Sequence, residues 1–205
     1  MGQYYNPSVL KKNWKTAKNA VKVSLKCYDF DNGAKLMEHS YVGNNFVMAM
    51  CYLLSLDEYF GLPFVWSGDY ADNVITKVGE HNIYDEANDF MYGNDTHSDK
   101  SLDYAELLTK IPSYEELKGM GFDGGYIVNL TKKVYIEVPK KPSPNEYAVH
   151  PLPLLTADGN GRGCGDYGLK NKRVGSWAFD RIGFTLDIEP YKHLKKVDGY
   201  FKLDY

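Results

Sequence analysis

The chain is short of cysteine, of long apolar runs and of net charge, and each shortage closes off a class of protein. Its three cysteines, Cys27, Cys51 and Cys164, stand far apart. An odd number at wide spacing is no disulfide framework, and no CxxC pair points to structural zinc or thiol–disulfide exchange. The longest strongly apolar stretch, Phe46 to Leu56, is interrupted by Tyr52 and Ser55. A bilayer-spanning helix needs about 20 apolar residues, so no membrane role is expected. The opening Met1-Gly-Gln-Tyr-Tyr5 has no charged n-region or apolar h-region, and Asn6 stands where a myristoylation signal wants Ser or Thr. These readings predict a reduced, cytoplasmic setting. A net charge of −3 and a pI of about 6.0 provide no global field to collect nucleic acid.

What is present is an ordinary apolar share of 43% in 205 residues, enough for one globular domain with a real core. Tyrosine is abundant, at 18 residues, which suits half-buried sheets or a recognition surface because the ring packs while its hydroxyl meets water. Charge is laid down in blocks. Lys11, Lys12, Lys15, Lys18, Lys22 and Lys26 fall within 11–26 without an acid. Residues 80–106 carry eight carboxylates against Lys100 alone. The default for such blocks is a solvated face, and residues 79–104 read as an acidic, loop-rich region.

Local patterns predict an α+β fold, a mostly antiparallel sheet packed on one main helix at about 44–57. Phe46, Val47, Met50, Leu53 and Leu54 make one helical stripe, with Asn44 or Asn45 as cap. Val21 to Cys27 alternates like a half-buried strand, and Asp31-Asn32-Gly33 follows with turn chemistry. Phe64-Val-Trp66 reads as a short strand. Ser113 and Glu116 form a capping box for a helix at Tyr114–Met120. Gly125–Leu130 and Val134–Val138 flank a hairpin turn, and Pro139, Pro142 and Pro144 end that sheet segment in a surface loop. A final strand pair is expected at Ile182–Ile188 and Tyr200–Leu203.

The least random stretch is Asp158-Gly-Asn-Gly-Arg-Gly-Cys-Gly-Asp166. Extended, it would show bare backbone on one face and Asn160, Arg162, Cys164 and Asp166 on the other. Curled, its N–H groups would form an anion-binding nest with Arg162 as the fork. A tightly packed loop without a ligand satisfies the same letters. Gly163-Cys-Gly-Asp-Tyr-Gly168 matches a dinucleotide fingerprint, yet no amphipathic helix follows it. A calcium loop fails because Arg162 takes a ligand position and Leu169 stands where the closing glutamate belongs.

Other constellations are weaker. Glu38-His39 joins an acid to an imidazole, but neighbours on a helix face different surroundings, and a structural histidine is the simpler reading. Asp95, His97 and Asp99 would share one face of a strand as a metal site, although solvation explains them equally well. Cys164 with His150 lacks a third, orienting group. Gly68-Asp69-Tyr70 recurs as Gly165-Asp166-Tyr167. If those turns meet, Asp69 and Asp166 would form a carboxylate pair beside Arg162.

Met1-Gly-Gln-Tyr-Tyr5, Gly33-Ala-Lys-Leu-Met-Glu-His-Ser40, Gly68-Asp-Tyr-Ala-Asp72, His150-Pro-Leu-Pro-Leu-Leu-Thr-Ala157, Gly159-Asn-Gly-Arg-Gly163 and Val174-Gly-Ser-Trp-Ala178 resemble a family of small bacterial and phage proteins. That family has no established activity and carries a further glycine where this chain has Cys164, which weakens a catalytic thiol. The resemblance implies a phage or prophage source, in a host cytoplasm, and a role such as sequestering a ligand or blocking a host protein.

The leading expectation is therefore a binding protein without cofactor or metal. Asn160, Arg162, Asp166, Asp69 and Trp177 would line a site for a small anionic ligand or a host protein. The alternatives are a hydrolase- or transferase-like enzyme using Glu38, His39, Asp69 and Asp166, and a homo-oligomeric interaction subunit whose tyrosines form the interface.

Overall fold

In the computed structural model, residues 3–93, 103–140, 147–159, 172–199 and 201 are described. Two of the strands predicted from sequence belong to the main sheet, the first longer and the second shorter than expected. The segment around Phe64 is a seven-residue strand, β3 (Leu62–Gly68), and the alternating stretch after Ala20 forms β2 (Val21–Ser24). Between them in space lies β1 (Tyr5–Leu10), buried along its whole length. The main sheet adds β6 (Tyr126–Asn129), β7 (Val134–Glu137), β8 (Ala157–Asp158), β9 (Arg181–Thr185) and β10 (Lys195–Lys196). Its order is β10-β7-β6-β9-β3-β1-β2, with β8 beside β3. Every pairing is antiparallel except β10 with β7 and β8 with β3. The predicted hairpin is β6–β7, and the predicted strand from Ile182 is β9. The companion expected at Tyr200–Leu203 falls outside the described residues, apart from Phe201.

The predicted main helix is α2 (Asn45–Ser55), and Asn44 caps it by accepting the Val47 N–H at 3.1 Å. Its apolar stripe packs against the face of the sheet that carries Phe64 and Trp66. Phe46 meets the Trp66 ring edge-on at 5.7 Å, and Trp66 is fully buried. Alongside lie the short helix α1 (Leu36–His39) and α6 (Pro151–Thr156), which is buried throughout. The capping box predicted at Ser113 and Glu116 opens α5 (Tyr114–Gly119).

The acidic region departs from the expectation of a loop. Val74–Thr76 and Gly79–His81 form a two-stranded hairpin, β4–β5, and Ile83–Tyr92 is a ten-residue helix, α3. A further helix, α4, spans Tyr104–Lys110. The reason is a stripe that the surrounding carboxylates obscure. Ile83, Ala87 and Met91 recur every four residues and are all buried, against Leu10, Val21 and Val65. Asn82 caps the helix by accepting the Asp85 N–H, and Gly93 ends it in the left-handed conformation at φ 71°. Strand alternation separates Val65 from Phe64 and Trp66, so α3 covers the face opposite α2. The β1–β2 end of the sheet is thus helix-covered on both sides, where the sequence predicted one main helix. Among the described residues no helix is long and apolar enough to cross a membrane.

Candidate functional site

At its N-terminal end β1 sends alternate side chains to opposite faces. Tyr5 enters the α2 side, where its ring is buried, and Tyr4 and Asn6 turn to the α3 side. Asn6 Nδ2 donates to Asn88 Oδ1 of α3 at 3.0 Å. After β2 the chain turns through a 3-10 segment, Cys27–Phe30, which tucks the Cys27 thiol inward and leaves Tyr28 66% exposed. Helix α3 supplies Tyr84, Asn88 and Tyr92 from the other side. Together these groups enclose a recess of 70 Å³.

The rim is aromatic and its charges are specific. Tyr4 and Tyr92 are 47% and 58% exposed, so with Tyr28 they form a tyrosine-rich face. The Lys26 ammonium lies over the Tyr92 ring at 3.9 Å and over the Tyr104 ring at 4.7 Å, a cation held between two π-faces. Tyr104 is fixed in turn: its hydroxyl donates to Asp29 Oδ2 at 2.6 Å and accepts the Lys26 N–H at 2.9 Å. Burial, then Asp29, drives that phenol well above its ordinary range. Tyr84 is pushed up to about 12, first by burial and next by the Asp69 carboxylate. Tyr28 is raised by partial burial, with Tyr4, Glu38 and Tyr92 among the groups acting on it. Burial pushes the Cys27 thiol up to about 11, so it is a neutral wall group and no nucleophile at neutral pH.

Of the residues singled out from sequence, Asp69 is bonded to the backbone of Tyr4 on this face. Asp69 accepts the Tyr4 N–H at 3.1 Å, and its own N–H returns to the Tyr4 carbonyl at 2.9 Å. Glu38 lies at the exposed start of α1, where it accepts the Lys35 N–H at 2.9 Å. Its neighbour His39 points elsewhere. The imidazole is fully buried, stacks on Trp66 at 5.3 Å and meets the Gly33 carbonyl through Nδ1 at 3.1 Å. Burial lowers it to about 4, which keeps it a neutral packing group without access to a substrate. Trp177 also lies in the core, 5% exposed.

His150 has a sulfur partner, Cys51, with Nε2 3.8 Å from Sγ. Both are sealed in the core. Burial lowers the imidazole to about 3 and raises the thiol well above its usual value, so the pair is uncharged. His150 also caps α6, its Nδ1 accepting the Leu152 N–H.

Asn160, Arg162, Cys164 and Asp166 lie outside the described residues, as do Asp95, His97 and Asp99. The start of the glycine segment is described, and packing explains its first glycine: a Cβ on Gly159 would run into Gln3 Oε1 and stand 2.9 Å from Tyr5 Oη. Parallel pairing of Ser67 with Asp158 sets Asp158 and Gly159 beside the Gly68-Asp69 turn, at the strand end that also holds Tyr4. Asp158 is raised by burial and by the nearby Asp72 carboxylate. Among the described residues no group of three His, Cys, Asp or Glu side chains could hold a metal ion. No protein-family model matches the chain, and no match was found among curated proteins or solved structures.

Sequence reasoning missed the recess because its walls come from residues 4–6, 26–28 and 84–92, which become neighbours only when α3 crosses β1 and β2. The one available signal was the excess of tyrosine.

Proposed function

We propose that the chain is a binding protein rather than an enzyme, and that it recognises a partner protein through the tyrosine-rimmed face. The observation that carries this reading is the grouping of three exposed rings, Tyr4, Tyr28 and Tyr92, around a recess with a polar floor of Asn6 and Asn88. Tyrosine gives large contact area at low entropic cost and is enriched at binding hot spots. At 70 Å³ the recess is far below the roughly 300–1,000 Å³ of metabolite pockets, so it suits the tip of a side chain on a larger surface. The cation that lines the recess, Lys26, is already engaged by the Tyr92 and Tyr104 rings, and Asp29 and Asp69 lie beside it, which disfavours a small anion at this face. Among the described residues His39, His150, Cys27 and Cys51 are all buried, which leaves none of these four groups open to a substrate; Cys164, the thiol weighed from sequence, lies outside the described residues. With the resemblance to small phage proteins, a host protein is the natural partner.

Affinity isolation from a bacterial host, followed by measured Kd values for the purified partner, tests the reading. Tyr28→Ala with Tyr92→Ala should weaken binding at least tenfold, while Ile75→Ser with Leu186→Ser, exposed residues elsewhere, should leave it unchanged. Equal affinity of both double variants would remove this face from the mechanism.

A further inference from the structure

We infer that the loop joining β1 to β2 is a docking point for an acidic segment of a partner protein. It is a second surface, separate from the tyrosine face and at the opposite end of the same two strands. Lys11, Lys12, Lys15 and Lys18 all fall within this one loop, 11–20, and no acid interrupts them. Lys12, Lys15 and Lys18 are exposed, and Lys11 is half-exposed. Several lysines elsewhere on the surface stand beside a carboxylate: Lys22 meets Glu58 at 3.2 Å, Lys132 meets Asp180 at 3.1 Å and Lys196 meets Glu137 at 2.6 Å. Among the described residues no such pair involves Lys11, Lys12 or Lys15.

The loop is anchored at its base and at its middle. The Lys11 N–H donates to the Ala20 carbonyl at 2.8 Å, and the Ala20 N–H donates to Glu86 Oε2 at 2.6 Å. Midway, Trp14 turns into the core, 5% exposed, and stacks on Phe179 at 5.4 Å. Phe179 makes that stack from left-handed backbone at φ 65°, a conformation that is costly for a bulky residue. A loop ordered in advance docks a partner with little further loss of entropy. Four like charges crowded on it raise the local positive potential, which an acidic segment relieves and a basic one does not. The wider charge pattern limits the partner's extent. The chain has 24 Lys and Arg against 27 Asp and Glu; four of the former and none of the latter lie in the loop, so the remainder is seven charges negative. A compact acidic patch ends where the lysines end. Duplex DNA carries a charge about every 1.7 Å and would run on over that negative remainder. A single strand finds no stacking platform, because Trp14, the loop's one aromatic ring, faces inward.

The test follows backbone NMR signals of the full chain during titration with a dodecaglutamate peptide. Saturable shifts centred on residues 11–20 are expected, with affinity falling at least tenfold between about 20 and 200 mM salt. Dodecalysine should leave the loop signals in place. Lys12→Gln with Lys15→Gln, both at exposed positions, should weaken the acidic peptide at least fivefold, and Lys12→Arg with Lys15→Arg should retain it. Lys192→Gln with Lys195→Gln, equally exposed, should change nothing. Shifts spread evenly to residues 192–196, indifference to the first double variant, or no saturable shift at all would overturn the inference. So would a twelve-base-pair DNA duplex that binds the loop as tightly as the peptide, which would assign the loop to nucleic acid. None of these variants touches Tyr4, Tyr28 or Tyr92, so the loop and the tyrosine face stand or fall separately.

Discussion

Glu86 ties together three pieces of chain where the start of β2 meets α3, and removing it is the sharpest test of how α3 is held. One carboxylate oxygen accepts the Ala20 N–H at 2.6 Å and the Val21 N–H at 3.3 Å, and the other meets His81 Nδ1 at 2.6 Å. Val21 has a second acceptor in Asn19 Oδ1 at 2.9 Å, so it tolerates the loss. Ala20 is fully buried, and His81 Nε2 has no partner among the described residues. In Glu86→Ala the Ala20 N–H and His81 Nδ1 are both stranded, at about 1–3 kcal/mol each. Taking about 3 kcal/mol in total, a chain of this size should melt about 6–12 °C lower. The control is Asp85→Ala, an exposed neighbour in the same helical turn, expected to cost under about 1 kcal/mol. Urea unfolding followed by circular dichroism compares the two directly. If Glu86→Ala costs no more than Asp85→Ala, the carboxylate does not clamp the helix and this account of α3 is wrong.

Two further outcomes follow from buried groups. Burial lowers His39 to about 4 and His150 to about 3, against 6.5 for the ordinary imidazole. Below about 6.5 the unfolded chain takes up both protons while the folded chain refuses them. Stability is therefore whole above that pH and falls as pH drops toward 4, with a slope approaching about 2.7 kcal/mol per pH unit. A urea midpoint that stays level from pH 7 to pH 5 would contradict the burial of both rings. Gly125 and Gly93 both hold left-handed backbone, at φ 91° and 71°. A Cβ on Gly125 would stand 2.7 Å from Phe184 Cζ and 3.0 Å from the Thr185 carbonyl, whereas one on Gly93 meets nothing within 4 Å among the described residues. Gly93→Ala should cost about 1–2 kcal/mol from backbone strain alone, and Gly125→Ala clearly more. Equal losses in thermal melts would refute the packing argument.

Legibility followed the range of the interactions. The α2 stripe, the Asn44 cap, the Ser113–Glu116 box and the β6–β7 hairpin each depend on residues within a few positions, and sequence patterns predict all four. Strand β1 was not readable in this way. Asn6, Pro7 and Ser8 break the apolar pattern, and a proline without an N–H argues against an inner strand. Tertiary contacts override that signal: β3 and β2 flank β1, and the Pro7 carbonyl accepts the Ser24 hydroxyl at 2.7 Å. Helix α3 had its stripe in plain letters, but the net acidity of the region favours a loop when composition is weighed first.

The sequence by itself determined the α+β character and the helices and hairpin whose caps and turns are local. It also gave the surplus of tyrosine and placed Asp69 and Glu38 among residues of interest. Tertiary structure alone decided which tyrosines act together, because the recess forms where α3 crosses two strands that precede it by some sixty to eighty residues in the chain. It also parted Glu38 from His39. One helical position apart, they face different surroundings, and only packing against Trp66 assigns the imidazole to the core and leaves the carboxylate exposed on α1.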